Sequence, residues 1–384
     1  MRTTLFLLIA LPIPLLAVSL DHDRLKQIDT SVEAAVKRGD CPGAVVVVVH
    51  DDEVVFRKAF GQRSLQPDKQ AMAVDTVFDL ASLTKPIATA TSAFVLIEQR
   101  KLRLSEKVAT YWPEFAANKK GAVTVEHLLS HTSGLLADNS LGDYKSGKGD
   151  AMKKIAALSL EAEPGKRFRY SDVGFIVLGE LIERISGKNV HEFSKRHVFD
   201  PLAMAETSYL PSEKLKARCA PTGKREGNWL TGEVHDPRAA AIGGIAGHAG
   251  LFGTADEVAC FARMLLRGGE LDGKRVLSRE SVQLMTMPID VPGGKRSRGW
   301  DVDTGFSSPR GELFAKGEGF GHTGFTGTSL WIDPRSKTAI VILTNRVHIS
   351  EKVQVTSLRR EIATIVAESV GVKRVAPKVE PKRD

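Results

Sequence analysis

Apolar positions recur along the chain in two rhythms. Between Asp23 and Arg38, Leu25, Ile28, Val32 and Ala35 share one face at helical spacing, and Gly39 supplies a stop. Ala44 to Val49 is an unbroken apolar, mostly β-branched run, which predicts a buried strand; Asp51-Asp52 reads as a turn and Val54 to Phe60 as its hairpin partner. Helical spacing returns from Ile87 to about Gln99. Thr124 reads as the cap of a short helix from Val125 to Ser130, ended by Ser133-Gly134. Asp172 to Ile185 is strongly periodic, with Phe175, Leu178, Leu181, Ile182 and Ile185 apolar and Gly187 closing it. Thr254-Ala255-Asp256-Glu257 has the form of a capping box opening a helix to about Arg267. Residues 287–312, rich in Gly, Ser, Pro and Arg, read as a long loop. Strand signals resume at Ser329 to Ile332 and Thr338 to Thr344, around Asp333-Pro334, and a last helix spans about Val353 to Ser369. The Pro- and Lys-rich stretch from Lys373 to Asp384 predicts a disordered basic tail.

Strands thus gather toward both ends and helices between them. The pattern predicts an α+β fold. Its sheet is built from about residues 24–100 and 312–372, and a helical insertion covers about 101–311. No internal repeat is visible.

Composition narrows the class. The 384 residues are 42% hydrophobic and 26% charged, ordinary for a globular chain with a large core. The net charge of +8 forms no long block, and no nucleic-acid motif accompanies it; it suits acidic substrates or envelope polymers. Residues 1–19 read as a signal peptide. Arg2 is the positive region, Leu5 to Leu16 the apolar core and Ala17-Val18-Ser19 the cleavage site. That run is short for a bilayer span and is interrupted by Pro12 and Pro14, so the mature chain is expected to be exported without an integral membrane span. Cys41, Cys219 and Cys260 allow at most one disulfide and match no metal or redox spacing; Cys260, in a helical pattern, reads as a core thiol.

The candidate chemistry begins at Asp79-Leu80-Ala81-Ser82-Leu83-Thr84-Lys85-Pro86. Ser82 falls at a helix start and Lys85 three residues on, so hydroxyl and amine share one face. Pro86 is tolerated in a first turn, where the free N–H groups also favour an oxyanion. Two further motifs follow in order, Tyr170-Ser171-Asp172 and His322-Thr323-Gly324. A serine hydroxyl needs a neighbouring base. Lys85 serves if its pKa is lowered, and Tyr170 can share the proton as phenolate or shuttle.

With these motifs in order, the chain resembles the serine β-lactamase and penicillin-binding-protein superfamily, in its class C and family VIII esterase branch. Glu126–Leu135, Tyr170–Gly179, Gly247–Asp256 and Gly321–Pro334 extend the match to about residues 24–370. The resemblance implies an antiparallel sheet flanked by terminal helices, with the helical domain inserted. It implies Ser82, Lys85 and Tyr170 as catalytic residues, and the backbone N–H groups of Ser82 and Phe325 as the oxyanion hole. Asp172, His322, Thr323 and Gly324 fall in the substrate-binding positions, with Gly324 leaving room for substrate backbone. It implies no cofactor and no metal, and His127 and His131, four apart, are then structural.

Two positions depart from the β-lactamase pattern: Asp172 stands where Asn is usual and His322 where Lys is usual. Both weigh against efficient β-lactam hydrolysis, since a neutral imidazole attracts a substrate carboxylate less than an ammonium does. His235-Asp236 and Gly247-His248-Ala249-Gly250 lie in Gly-rich settings where His235 or His248 can contact substrate or stabilise a turn. Arg296, Arg298 and Trp300 read either as a pocket rim for an acidic ligand or as the solvated loop their composition favours.

The expected function is an exported serine hydrolase acting through an acyl-enzyme on a cell-wall peptide or muropeptide. The alternatives are a small-ester carboxylesterase, a weak β-lactamase or D-alanyl carboxypeptidase, and a silent peptidoglycan-binding receptor. Nothing in the pattern fixes an oligomeric state.

Overall fold

The computed structural model describes residues 20–373, so the leader read at 1–19 and the tail from 374 lie outside the described residues. Nine strands form one antiparallel sheet: β1 (Gly43–His50), β2 (Glu53–Ser64), β3 (Gln70–Ala71), β4 (Ile289–Val291), β5 (Gly294–Arg296), β6 (Asp301–Asp303), β7 (Phe320–Thr323), β8 (Ser329–Asp333) and β9 (Thr338–Thr344). Their spatial order is β4-β5-β6-β7-β8-β9-β1-β2-β3.

The unbroken apolar run of β1 is explained by burial on both faces. Val45, Val47 and Val49 join the core that contains Leu80, Ile87 and Phe94. Ala44, Val46 and Val48 face the opposite core, with Ile28 and Val32 of the helix Gln27–Arg38 and Leu358, Ile362 and Val366 of the helix Thr356–Ser369. Successive side chains point to opposite faces, so a strand between two layers needs no polar alternation.

Residues 287–312 differ from the loop reading. They contribute β4, β5 and β6, so the range expected to be a helical insertion includes three strands of the main sheet. Each is three residues long, and the buried members include Arg296 paired with Asp301, which breaks the apolar signal. Trp300 is fully buried, and Arg298 is buried against Glu126, its Nε 3.0 Å from the carboxylate.

The capping motifs exchange roles. Thr254 accepts the Glu257 N–H as expected, but the Glu257 carboxylate turns away to the Glu206 N–H at 2.9 Å and the Thr207 hydroxyl. The reciprocal box forms at Thr124 and His127, where His127 Nδ1 accepts the Thr124 N–H, which gives His127 a structural role. All three cysteines are free thiols, with Cys260 only half-buried. Among the described residues, no helix is long and apolar enough to cross a membrane.

Candidate active site

The serine is presented by a strained turn. Phe78–Asp79 pairs with Leu251–Gly253 in a small sheet beside the main one, and the chain then turns sharply. Asp79 is buried, and its carboxylate accepts the N–H of Ala81 at 2.8 Å and of His235 at 2.7 Å. Ala81 adopts φ +48°, the left-handed region that L-residues rarely enter. Such a conformation costs on the order of 1–3 kcal/mol and persists only where the surroundings impose it. Here Asp79 imposes it, and Ser82 is thrust out as the next residue. Lys85 then begins a wide π-type turn, Lys85–Ala90, which continues as the α-helix Thr91–Glu98. Such turns concentrate at functional sites.

The Lys85 ammonium, fully buried, is held by three groups. It donates to Ser82 Oγ at 3.1 Å and to the His248 carbonyl at 3.0 Å, and it is ion-paired with Asp172 Oδ1 at 2.5 Å. Burial alone pushes the Lys85 pKa down, but the Asp172 carboxylate beside it outweighs burial, and the net shift is upward. The Tyr170 pKa is also raised, by burial, although the Lys85 charge opposes the rise. The lowered values expected for both groups are therefore not found: the resting site holds an ammonium, a carboxylate and a neutral phenol. Asp172, in an expected substrate-binding position, faces Lys85.

Tyr170 is fixed between rings. His131 stacks on it with centroids 4.5 Å apart, and His131 Nδ1 accepts the Ser171 N–H at 3.0 Å, which locks the imidazole. Phe306 and His322 approach its other sides at 5.5 and 5.9 Å. His131 is thus structural.

His322 is buried at the end of β7, with Nδ1 2.9 Å from the Thr323 carbonyl. A carbonyl can only accept, so Nδ1 carries the proton and Nε2 is left as an acceptor. Burial, and then the nearby Arg296, push the His322 pKa well below the usual imidazole value. The side chain therefore brings no positive charge to this edge.

Ser82, Tyr170, His322, Thr323, Gly324 and Phe325 converge on one cavity of about 320 Å³. Two larger depressions, of about 650 and 620 Å³, lie between the terminal helices and beside Trp112, away from these groups. The Phe325 N–H donates to no acceptor among the described residues. Gly324 is also required by the protein's own packing. A Cβ there would stand 2.1 Å from Thr328 Oγ1 and 2.6 Å from the Leu80 carbonyl, so its absence admits the protein's own nucleophile turn. Gly324→Ala should force the two apart, costing about 1–3 kcal/mol of stability and most of the activity; thermal unfolding and turnover of the same preparation check both.

The two other candidate histidines make contacts within the protein. His235 gives its N–H to Asp79, and its ring lies 5.6 Å from that of Phe325 at the cavity rim. The His248 ring is buried against Asp236, Nε2 to Oδ1 2.9 Å, while its carbonyl holds Lys85. Sequence reasoning assigned no role to Asp79 or Arg359. Arg359 is buried behind the Gly324 turn, donating to the Thr328 carbonyl at 2.9 Å; burial, and then Arg346, lower its pKa to about 9. Arg296, Arg346 and Arg359 all line the cavity. Arg296 spends Nη1 on Asp301 at 3.0 Å, and its Nε and Nη2 have no hydrogen-bond partner among the described residues.

A sequence model of the Beta-lactamase family matches residues 28–364. The chain belongs to the β-lactamase family. It is similar to the N-acetylmuramyl-L-alanine amidase of Bacillus subtilis (strain 168), at 30% identity over 365 residues, covering 85% of this chain and 81% of that protein. A protein of Escherichia coli (strain K12), provisionally named a D-alanyl-D-alanine carboxypeptidase, is 29% identical over 364 residues, with 85% of this chain and 83% of that protein covered. Among solved structures, EstCE1, a hydrolase with promiscuous acyltransferase activity, superposes with a TM-score of 0.70 at 24% identity, covering 88% of this chain and 99% of that one. The fold is the β-lactamase/transpeptidase fold, and this β-lactamase-family chain is a serine hydrolase.

Proposed function

We propose that this family member is an exported amidase-like hydrolase that forms an acyl-enzyme on Ser82 and takes muropeptide-type acyl amides. The observation that carries the mechanism is the Lys85 Nζ–Ser82 Oγ hydrogen bond at 3.1 Å inside the cavity. As Ser82 Oγ attacks the acyl carbon, its proton passes to Lys85. Lys85 accepts it as the free amine, and the Asp172 carboxylate, 2.5 Å away, pairs with the ammonium that forms. The net transfer is from Ser82 to Lys85. Collapse of the tetrahedral oxyanion expels the amine, with Tyr170 placed to return a proton to it; water then cleaves the ester by the reverse route. The N–H groups of Ser82 and Phe325 fit the oxyanion role, and one such donor is typically worth about 3–4 kcal/mol.

The substrate class is supported by the cavity's charge. Positive charge resides on Arg296, Arg346 and Arg359 rather than on His322. This suits an amide whose peptide carries carboxylates, and the similarity to an N-acetylmuramyl-L-alanine amidase points the same way. Export is supported by the Arg2, Leu5–Leu16 leader pattern. Muropeptides, p-nitrophenyl esters and nitrocefin assayed in parallel test the reading. The muropeptide should give the highest kcat/KM and nitrocefin the lowest, and a clear preference for nitrocefin overturns it. Arg296→Gln should raise KM for an acidic muropeptide by about 10–100-fold, the usual worth of a hydrogen bond to a charged group, with a neutral ester little affected. Equal losses on both substrates would remove Arg296 from substrate recognition. A small-ester activity is the second reading, favoured by Phe306 and Phe325, exposed by 48% and 50% around this cavity.

A further inference from the structure

Behind Lys85, away from the cavity, lies a second set of ionisable groups. One ligand atom each of Asp172, Asp236 and His248 fall within 4.8 Å of one another. His248 reaches the Lys85–Asp172 ion pair from both ends. Its carbonyl accepts from Lys85 at 3.0 Å, and its ring, 1% exposed, has Nε2 2.9 Å from Asp236. Gly247 makes this approach possible. A Cβ there would stand 2.0 Å from the Phe175 carbonyl, so the segment presses directly on the helix Asp172–Ser186 that carries Asp172. Asp236 is fixed in turn, accepting the Ala239 N–H at 2.7 Å as a helix cap.

We infer that His248 and Asp236 are a positioning pair that sets the basicity of Lys85 through Asp172. Two half-buried carboxylates stand here beside one ammonium, and buried charge is tolerated only when paired. The His248 imidazole, with Nε2 2.9 Å from Asp236 Oδ1, is the group placed to offset the second carboxylate. Burial works to raise the Asp236 pKa, but His248 beside it overrides burial and holds it below the usual carboxylate range. The other charged or titratable groups facing them are Asp138, paired with Arg238 at 3.3 Å, Asp79 toward Asp236, Tyr170 against Lys85, and Tyr144. A metal ion is not the occupant implied, because the Lys85 ammonium 2.5 Å from Asp172 already takes a cation's place. By offsetting Asp236, His248 weakens the hold of the two carboxylates on Lys85, which then gives up a proton at lower pH than it would without His248.

The inference rests on Lys85 being the base for Ser82, and the test separates the two. The rate at which a fluorophosphonate labels Ser82 is followed against pH. His248→Gln keeps an N–H near the Nε2 position and the backbone carbonyl but cannot be charged. Asp236→Asn keeps the helix cap and loses its charge. The midpoint of the rising limb should move up by about one pH unit in His248→Gln and down by about one in Asp236→Asn. A merely structural pair would slow labelling without moving the midpoint. Unmoved midpoints, or shifts in the same direction, overturn the inference. Should His248→Gln not fold, Asp236→Asn decides alone: a downward shift supports the pair and none overturns it. Failure of the wild-type protein to be labelled at Ser82 instead overturns the underlying reading of the nucleophile.

Discussion

Ser82→Ala should lower turnover of every substrate by about 10⁴-fold or more, to the level left by binding and oxyanion donors alone. The fold should survive. Ser82 contributes one half-buried hydroxyl, which accepts from Lys85 Nζ, and Lys85 keeps the His248 carbonyl and Asp172 when the serine is lost. The turn that presents the residue is held by Asp79 and Ala81 rather than by Ser82. A melting temperature within a few degrees of wild type should therefore accompany the loss. Turnover above a trace by well-folded Ser82→Ala would remove Ser82 from the chemistry.

Lys85 and Tyr170 should each be worth about 10²–10⁴-fold, the usual range for general acid–base help. Lys85→Met and Tyr170→Phe together should lose little more than the worse single change, because both serve one proton path. Full additivity would place them on separate steps. The two differ in stability. Lys85→Met leaves Asp172 without its buried partner, which typically costs about 3–5 kcal/mol, whereas Tyr170→Phe keeps the ring stacked on His131. The sign of the pH dependence follows from Asp172. Its charge raises the Lys85 pKa, so Lys85 is freed of its proton only at higher pH, and activity that needs the free amine rises with pH. Asp172→Asn removes the charge and should move that rising limb to lower pH. A limb that stays in place would show that Lys85 is not the group titrating.

The fold was largely legible because its signals are local or periodic. The β1 run, the hairpin partner β2, the β8–β9 pair and the helix Asp172–Ser186 with Gly187 beyond it all lie where the pattern puts them. The strands β4 to β6 were not legible. They are three residues each, and their buried positions include an Arg296–Asp301 pair that reads as solvent-exposed in sequence. In the site, the helical spacing of Ser82 and Lys85 was readable, and the structure joins them. The direction of the Lys85 shift was not, because it depends on Asp172, 87 positions away, lying within ion-pair distance. Asp79 and Arg359 gave no signal at all. An acidic residue before a turn and a basic residue in an amphipathic helix are commonplace until the fold buries them.

The central claim is that Ser82 is the residue that becomes acylated. The most direct measurement is the intact mass of the protein after exposure to a fluorophosphonate, followed by mapping of the modified peptide. The account predicts a single adduct, on the peptide containing Ser82 and absent from Ser82→Ala. An adduct on any other residue, or none with active protein, would contradict it.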